Sequence, residues 1–270
     1  FFVCIFLVIS KTSSSFFGNA WTKALKQTMH EQAVEDENAV HKIDNHLVRR
    51  LIVMPLTEAF NPSQISAMHC KVQYGDKCSL PGSIGRAIFE KPYEVPWLFE
   101  MTPVKRRSTS KVLESPAPGV NPQVLRKAYI SPLDFRAPEN YIFLPQWLMK
   151  SMGLQSNDLV DISFIRIKLG GLITLQPLTL DWDKLMEQTN NPRSILEHEV
   201  NKYSSLTAGS TIMIEFEGVE YPLYVKDVKA EGGVSVRGVR VQDADVRVDI
   251  DRSILDAMIK KQKELEKEKV

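Results

Sequence analysis

The sequence predicts an α+β protein: a pseudo-symmetric β-barrel of two interlocked halves, a smaller mixed α/β unit after it, and a short C-terminal helix. Three observations predict it. The first is an internal echo. Leu80-Pro81-Gly82-Ser83-Ile84-Gly85-Arg86-Ala87-Ile88 and Leu144-Pro145-Gln146-Trp147-Leu148-Met149-Lys150-Ser151-Met152 both read as a strand end entering a short helix with Pro in its first turn, where a missing N–H costs nothing. The second is an apolar strand after each echo, Val95 to Met101 after the first and the mostly alternating Leu159 to Ile167 after the second. The third is the change after Gly170-Gly171 to short strands and helices separated by glycine turns.

Composition allows this architecture. Of 270 residues, 43% are hydrophobic and 25% charged, enough to bury one large or two small cores. Lys plus Arg number 34 against 33 Asp plus Glu, and a net charge of +1 argues against nucleic acid as the main partner. Cys4, Cys70 and Cys78 are too few for a disulfide framework.

Residues 1–48 read as a targeting leader and linker. Phe1 to Ile9 is an unbroken apolar run. It is about half the roughly 20 residues a membrane-crossing helix needs, so no stable span is expected, and its length suits the apolar core of a signal peptide, with a buried strand as the alternative. Ser13-Ser14-Ser15-Phe16-Phe17-Gly18 has the shape of a cleavage site, and Lys23 to Val48 reads as a loose helix or a linker. The barrel is placed at 49–175, with strand-like runs from Leu51-Ile52-Val53 through Val72 to Ser79-Leu80. Within it, 102–127 holds Lys105-Arg106-Arg107 and four prolines, a composition expected of a flexible, solvated insertion. Gly153 stands where a helix end wants positive φ, and Leu148 and Met152, four apart, share a buried face.

The mixed α/β unit is placed at 176–250. Gly170-Gly171 reads as a hairpin turn and Thr174 to Leu178 as an extended connector. Asn191 caps a helix with Pro192 in its first turn and an apolar stripe of Ile195, Leu196, Val200 and Tyr203. Strands are expected next at Thr211–Phe216 and Tyr221–Val228 around a Glu217-Gly218 turn, and Gly232-Gly233 turns into Val234-Ser235-Val236. Residues 251–270 read as an amphipathic helix fraying into a Lys/Glu-rich tail.

The residues carry no recognisable catalytic constellation. There is no phosphate-binding glycine loop, dinucleotide fingerprint or nucleophile elbow. His69, Cys70 and Cys78 lack paired C-x-x-C spacing, so no metal or cofactor site is assigned, and Cys78 reads as a small buried hydrophobe. His198 reads as a surface or boundary residue of its helix. Asp134, Glu139, Asp158 and Asp161 read as turn or surface carboxylates, with no pair positioned for acid–base work. Trp97, Trp147 and Trp182 read as core or interdomain residues, any one of which could anchor a binding patch.

Several segments carry a resemblance. Ser79-Leu80-Pro81 through Trp97-Leu98-Phe99-Glu100-Met101, then Ser131-Pro132-Leu133-Asp134-Phe135 and Tyr141-Ile142-Phe143-Leu144-Pro145-Gln146-Trp147-Leu148-Met149, keep one known order. Leu175-Gln176-Pro177, Asn191 to Glu197, Tyr203 to Gly209 and Val246 to Asp251 continue it. Together they resemble the N-terminal domain of the ubiquitin fusion degradation protein 1 family over about Leu51 to Asp251. The resemblance implies a double-psi β-barrel followed by a smaller mixed α/β subdomain. It also implies a non-enzymatic adaptor that binds ubiquitin or polyubiquitin and works with a nuclear protein localisation 4-type cofactor. Its role is to deliver substrates to a valosin-containing-protein-type AAA ATPase in ubiquitin-dependent or endoplasmic-reticulum-associated degradation. Which residues bind ubiquitin is not implied.

Three features depart from the family. No F-x-G-x-G-type ATPase-binding motif is present, the insertion at 102–127 is long, and the apolar start is foreign to a cytosolic adaptor. A leader on such an adaptor resembles the plastid-targeted copies of organisms with complex plastids, where the machinery serves protein import. The expected location is therefore the plastid periphery, with cytoplasmic or endoplasmic-reticulum-associated degradation as the alternative and a double-psi-barrel enzyme as the remote one.

Overall fold

The computed structural model describes residues 14–40, 48–56, 74–104, 124–188 and 192–267. It comprises two units, one ending at Lys42 and one running from Ile43 to Val270. In the first, α1 (Ser14–Val40) is a continuous helix, so the stretch expected to be a loose helix or linker is helical to Val40. Ser14 to Gly18 of the cleavage-site stretch lie within α1. The good helix formers Ala, Leu, Lys, Gln and Glu recur along it from Ala20 onward, and Gln27–Glu31 and Gln32–Asp36 add i,i+4 hydrogen bonds of 3.4 and 3.0 Å. Among the described residues no helix is long and apolar enough to cross a membrane. The apolar run Phe1 to Ile9, Val72, His69-Cys70, Lys105-Arg106-Arg107 and Asn191 lie outside the described residues.

The second unit opens with the barrel. Its strands are β1 (Val48–Pro55), β2 (Lys77–Pro81), β3 (Leu98–Pro103), β4 (Ala128–Ala137), β5 (Tyr141–Leu144) and β6 (Leu159–Ile165). Helix α2 (Gly82–Phe89) follows β2 and α3 (Gln146–Ser151) follows β5. The strands close in the order β1-β5-β2-β4-β3-β6. Exchanging β1 with β4, β2 with β5 and β3 with β6 leaves the set of pairings unchanged. The parallel pair β1–β5 becomes β4–β2, the antiparallel pair β1–β6 becomes β4–β3, and β2–β5 and β3–β6 map onto themselves. The echoed Leu-Pro segments are thus equivalent corners of an interlocked barrel, as the double-psi arrangement requires. Each proline sits one residue earlier than expected, at the N-cap: Pro81 (φ −61°, ψ 148°) and Pro145 (φ −57°, ψ 142°) are extended and deliver the chain into the helix. Gly153 has the expected positive φ of 64°.

Leu51, Val53, Leu80, Phe99, Met101, Ile130, Ile142, Leu144, Leu148, Val160 and Ile162 fill the barrel. The first strand after an echo is shorter than expected, starting at Leu98; Pro96, which has no N–H to donate to a ladder, follows a cis Val95–Pro96 bond. Conversely, Thr102 and Pro103, placed in the insertion, belong to β3 and pair with Asp161 and Val160.

The smaller subdomain is built on β7 (Gly170–Pro177), α4 (Asp181–Gln188), α5 (Pro192–Val200), β8 (Ser205–Thr207), β9 (Thr211–Phe216), β10 (Val219–Ala230), β11 (Ser235–Val236), β12 (Gly238–Arg240) and β13 (Arg247–Ile250). Its sheet runs β11-β10-β7-β13, β9 pairs with β10, and β8 with β12. Two expectations are corrected. Gly170-Gly171 is no turn but the start of β7, and the connector at Thr174 to Leu178 is mostly this same strand, flanked on both sides. A boundary between 175 and 176 therefore cuts through a strand. The turns at Glu217-Gly218 (φ 52° and 80°) and Gly232-Gly233 (φ 90° and 83°) stand as expected. Ile173, Leu175, Trp182, Tyr203, Ile212, Ile214, Leu223 and Val225 form this second core.

Helix α6 (Ser253–Lys267) buries Ile254 and Leu255 and is anchored by Asp251. That carboxylate accepts from the Ser253 amide at 2.9 Å, from Gln176 Nε2 at 2.9 Å and from Lys226 Nζ. The Lys226 side chain first, then Ser253, hold it well below the usual carboxylate range. A depressed native pKa gives stability that is full above the unfolded value, about 3.9, and lost as pH falls beneath it. Lys226→Met should therefore be less stable than wild type in melts above about pH 4, with the gap closing as pH falls below that; a gap that is absent, or the same at every pH, would refute this anchoring.

Candidate functional site

The barrel and the smaller subdomain meet around a buried carboxylate. Asp76, just before β2, accepts from the Ser204 amide (2.8 Å), the Ser205 amide (2.9 Å) and the Ser205 hydroxyl (2.8 Å). Lys77 donates to the Ser204 hydroxyl, which also lies 3.0 Å from the Ser131 hydroxyl and donates to Gln242 Oε1 at 2.9 Å. Burial pushes the Asp76 carboxyl up, opposed by Lys77 and the three donors. Trp147 bridges the same seam: its Nε1 donates to Gly75 O at 3.0 Å and its ring meets Tyr203 edge-on at 6.0 Å. This seam is saturated and inward-facing, so it fixes the two subdomains as one body and offers little to a ligand.

The outward feature is aromatic. In α2, Ile84 and Ile88 are four apart and buried, which leaves the last residue, Phe89, at the rim and 65% exposed. Its ring stands edge-on to Trp97 (5.2 Å, 80°) and to Phe135 (5.7 Å, 74°), and Trp97 and Phe135 are 6.1 Å apart. Val95 (66% exposed) and Leu133 (39%) are the other exposed apolar side chains of the α2–β3 loop and β4. Trp97 is held in place because its Nε1 donates to Tyr93 O at 3.2 Å, while the Tyr93 ring packs on Phe164 at 4.5 Å. Exposed Arg86, Glu90, Lys91, Glu94 and Arg136 are interspersed with these apolar residues in sequence. A rigid apolar centre among charged residues of both signs has the make-up of a protein-binding hot spot.

Of the three tryptophans read as possible anchors, Trp97 belongs to this patch, Trp147 to the seam and Trp182 to the second core. Phe89 was not legible as a site residue. Its exposure comes only from where α2 ends.

The carboxylates scatter. Asp161, in β6 rather than in a turn, makes a bidentate pair with Arg50 (2.7 and 2.9 Å). Asp134, also on a strand, accepts from Ser79 and pairs with Arg136, and Glu139 receives the Ser83 amide and hydroxyl. Asp158 receives the Gln155 amide at 2.8 Å. Each is engaged in a separate structural contact. Cys78 is buried and its thiol donates to Ser131 O at 3.4 Å. Burial pushes that thiol up, which suppresses the nucleophilic thiolate. His198 is exposed on α5. Among the described residues no three His, Cys, Asp or Glu side chains gather as metal ligands.

Residues 56–168 match the family description ubiquitin fusion degradation protein UFD1, N-terminal subdomain 1, and residues 169–253 match N-terminal subdomain 2. The chain belongs to the ubiquitin fusion degradation protein 1 family. The subdomains of this family meet between 168 and 169, just before β7 begins at Gly170. Among its curated relatives, the Dictyostelium discoideum ubiquitin fusion degradation protein 1 homolog is 27% identical over 192 residues, 71% of this chain and 50% of its own. Ubiquitin fusion degradation protein 1 of Saccharomyces cerevisiae is 27% identical over 203 residues, 73% of this chain and 50% of its own. The ubiquitin recognition factor in ER-associated degradation protein 1 of Mus musculus is 27% identical over 126 residues, 47% of this chain and 38% of its own. The chain spans about half the length of the ubiquitin fusion degradation protein 1 relatives it matches.

Proposed function

We propose that this chain is a non-enzymatic adaptor that recognises ubiquitin or polyubiquitin on substrates. It then presents them to a valosin-containing-protein-type AAA ATPase together with a nuclear protein localisation 4-type cofactor. The observation that carries the reading is the match of both family subdomains in order across one two-core body. The aromatic patch supports it, because an adaptor needs a rigid exposed apolar surface and the carboxylates are committed to structural contacts. Phe89 is the residue placed at the centre of recognition.

Isothermal titration with mono- and tetra-ubiquitin tests this. Phe89→Ser should weaken binding by about tenfold or more, as truncation of a hot-spot aromatic does, while the circular dichroism spectrum stays unchanged. Wild-type protein that binds neither form at high micromolar concentration would sink the ubiquitin reading. Wild-type binding with an unaffected Phe89→Ser variant would move the site off this patch.

The apolar start Phe1 to Ile9 supports a plastid-periphery location, in which the substrates are proteins in transit across a membrane. Imaging of the C-terminally tagged protein against plastid and endoplasmic-reticulum markers separates the two settings. Diffuse cytosolic signal would return the adaptor to ordinary degradation.

A further inference from the structure

The β7 sheet ends at β13, which pairs with β7 alone. The Asp251 amide donates to Leu175 O at 2.8 Å. With the two-residue period of a strand, the backbone groups of Arg247 and Asp249 also face β7, and those of Val248 and Ile250 face outward. Among the described residues no hydrogen bond satisfies these outward groups. The outer side of β9 is treated differently. There the Tyr203 hydroxyl donates to Met213 O at 2.8 Å and lies 3.3 Å from the Met213 amide, while Glu199 accepts from the Glu215 amide at 3.2 Å. Among the described residues β13 has no such cover, and an uncovered edge is a template for another strand.

The side chains say which strand. Arg247 and Asp249 are exposed on one face, and among the described residues neither makes an ion pair or side-chain hydrogen bond. Val246, Val248 and Ile250 alternate with them and pack against the second core. Lay β13 antiparallel to its own copy, with the two-fold axis through Val248. Arg247 then faces Asp249 of the second copy, twice, and Val246 faces Ile250. Val248 meets its own counterpart in a hydrogen-bonded pair. The Arg–Asp pairs fall at the non-hydrogen-bonded positions, where opposed side chains come closest. Moving the axis by half a residue sets Arg247 against Ile250 and Asp249 against Val248, which loses both ion pairs. We infer that β13 is a self-complementary edge that joins two copies of this chain into a two-fold dimer with one continuous sheet. This does not depend on what the aromatic patch binds.

Sedimentation velocity of the full chain, from about 5 to about 300 μM, tests it. So short a contact belongs to the small, transient class, so the dimer should populate in the upper part of that range. Arg247→Asp places like charges opposite each other on both sides of the axis and should weaken association about tenfold. Adding Asp249→Arg to it reverses both partners and should restore the dimer. Circular dichroism should be the same for all three proteins, since both side chains are exposed. A wild-type monomer throughout the range overturns the pairing and leaves the edge to a strand from another protein. So does a single variant that dimerises as well as wild type, or a double variant that stays monomeric.

Discussion

Asp76→Ala should lower the melting temperature by about 10 °C, with both subdomains affected. The carboxylate receives two amides and one hydroxyl from the Ser204-Ser205 segment, 128 and 129 residues away in sequence. Two effects compete when it is removed. Losing a fully buried charge relieves a desolvation cost, which is why burial pushes this carboxyl up. Losing the acceptor strands three buried donors and leaves Lys77 facing only the Ser204 hydroxyl. Removing one partner of a buried charged network typically costs about 3–5 kcal/mol, because the remaining groups cannot reach water. In a folded unit of this size each kcal/mol shifts the midpoint by about 2–4 °C, so the stranded donors win. Asp76→Asn keeps the shape and one acceptor oxygen but turns an N–H₂ group toward N–H donors, so about half the loss is expected. Thermal denaturation followed by tryptophan fluorescence reads both, because Trp147 lies in the seam. A shift under about 2 °C for Asp76→Ala would mean that the seam is held by its apolar contacts alone.

How much of this was legible in the sequence depends on whether the signal was local. The barrel was legible because its halves repeat: Leu80-Pro81 and Leu144-Pro145 mark equivalent corners, and the pairings obey the symmetry the echo suggested. The smaller subdomain was legible in its hairpins but not in its central strand. Gly170-Gly171 looks like a turn because glycine pairs usually are. Here they are glycine for space: a Cβ on Gly171 would sit 3.1 Å from Ala230 O, and one on Gly170 3.1 Å from Val239 and Val246. Asp76, in Tyr-Gly-Asp-Lys-Cys, reads as an ordinary turn residue because its partners lie in the other subdomain. Phe89 reads as core because its neighbours Ile84 and Ile88 are core. Only the end of α2 puts it on the surface.

The same logic of space gives the second large effect, Gly238→Ala. Gly238 opens β12 and pairs with Thr207 of β8, where the smaller subdomain lies against β4 of the barrel. A Cβ there would stand 2.3 Å from both Cδ2 and Cε2 of Tyr129, and 3.2 Å from Leu206 O. The obstacle is the body of a ring whose backbone is fixed in the barrel ladder opposite Glu100. A flexible side-chain end could swing aside at little cost; a strand-mounted ring must change rotamer or force β12 away from β4. Overpacking of this kind costs about 1–3 kcal/mol, and the backbone behind both residues places this case at or above the upper end. Equilibrium urea unfolding should therefore show Gly238→Ala less stable by about 3 kcal/mol. The cause is separable from the loss of glycine itself. Tyr129→Ser removes the ring, so in that background the same substitution should cost well under about 1 kcal/mol, a coupling that only residues in contact display. If Gly238→Ala costs as much with serine at 129 as with tyrosine, the steric account fails, and backbone conformation at β12 would have to carry the effect.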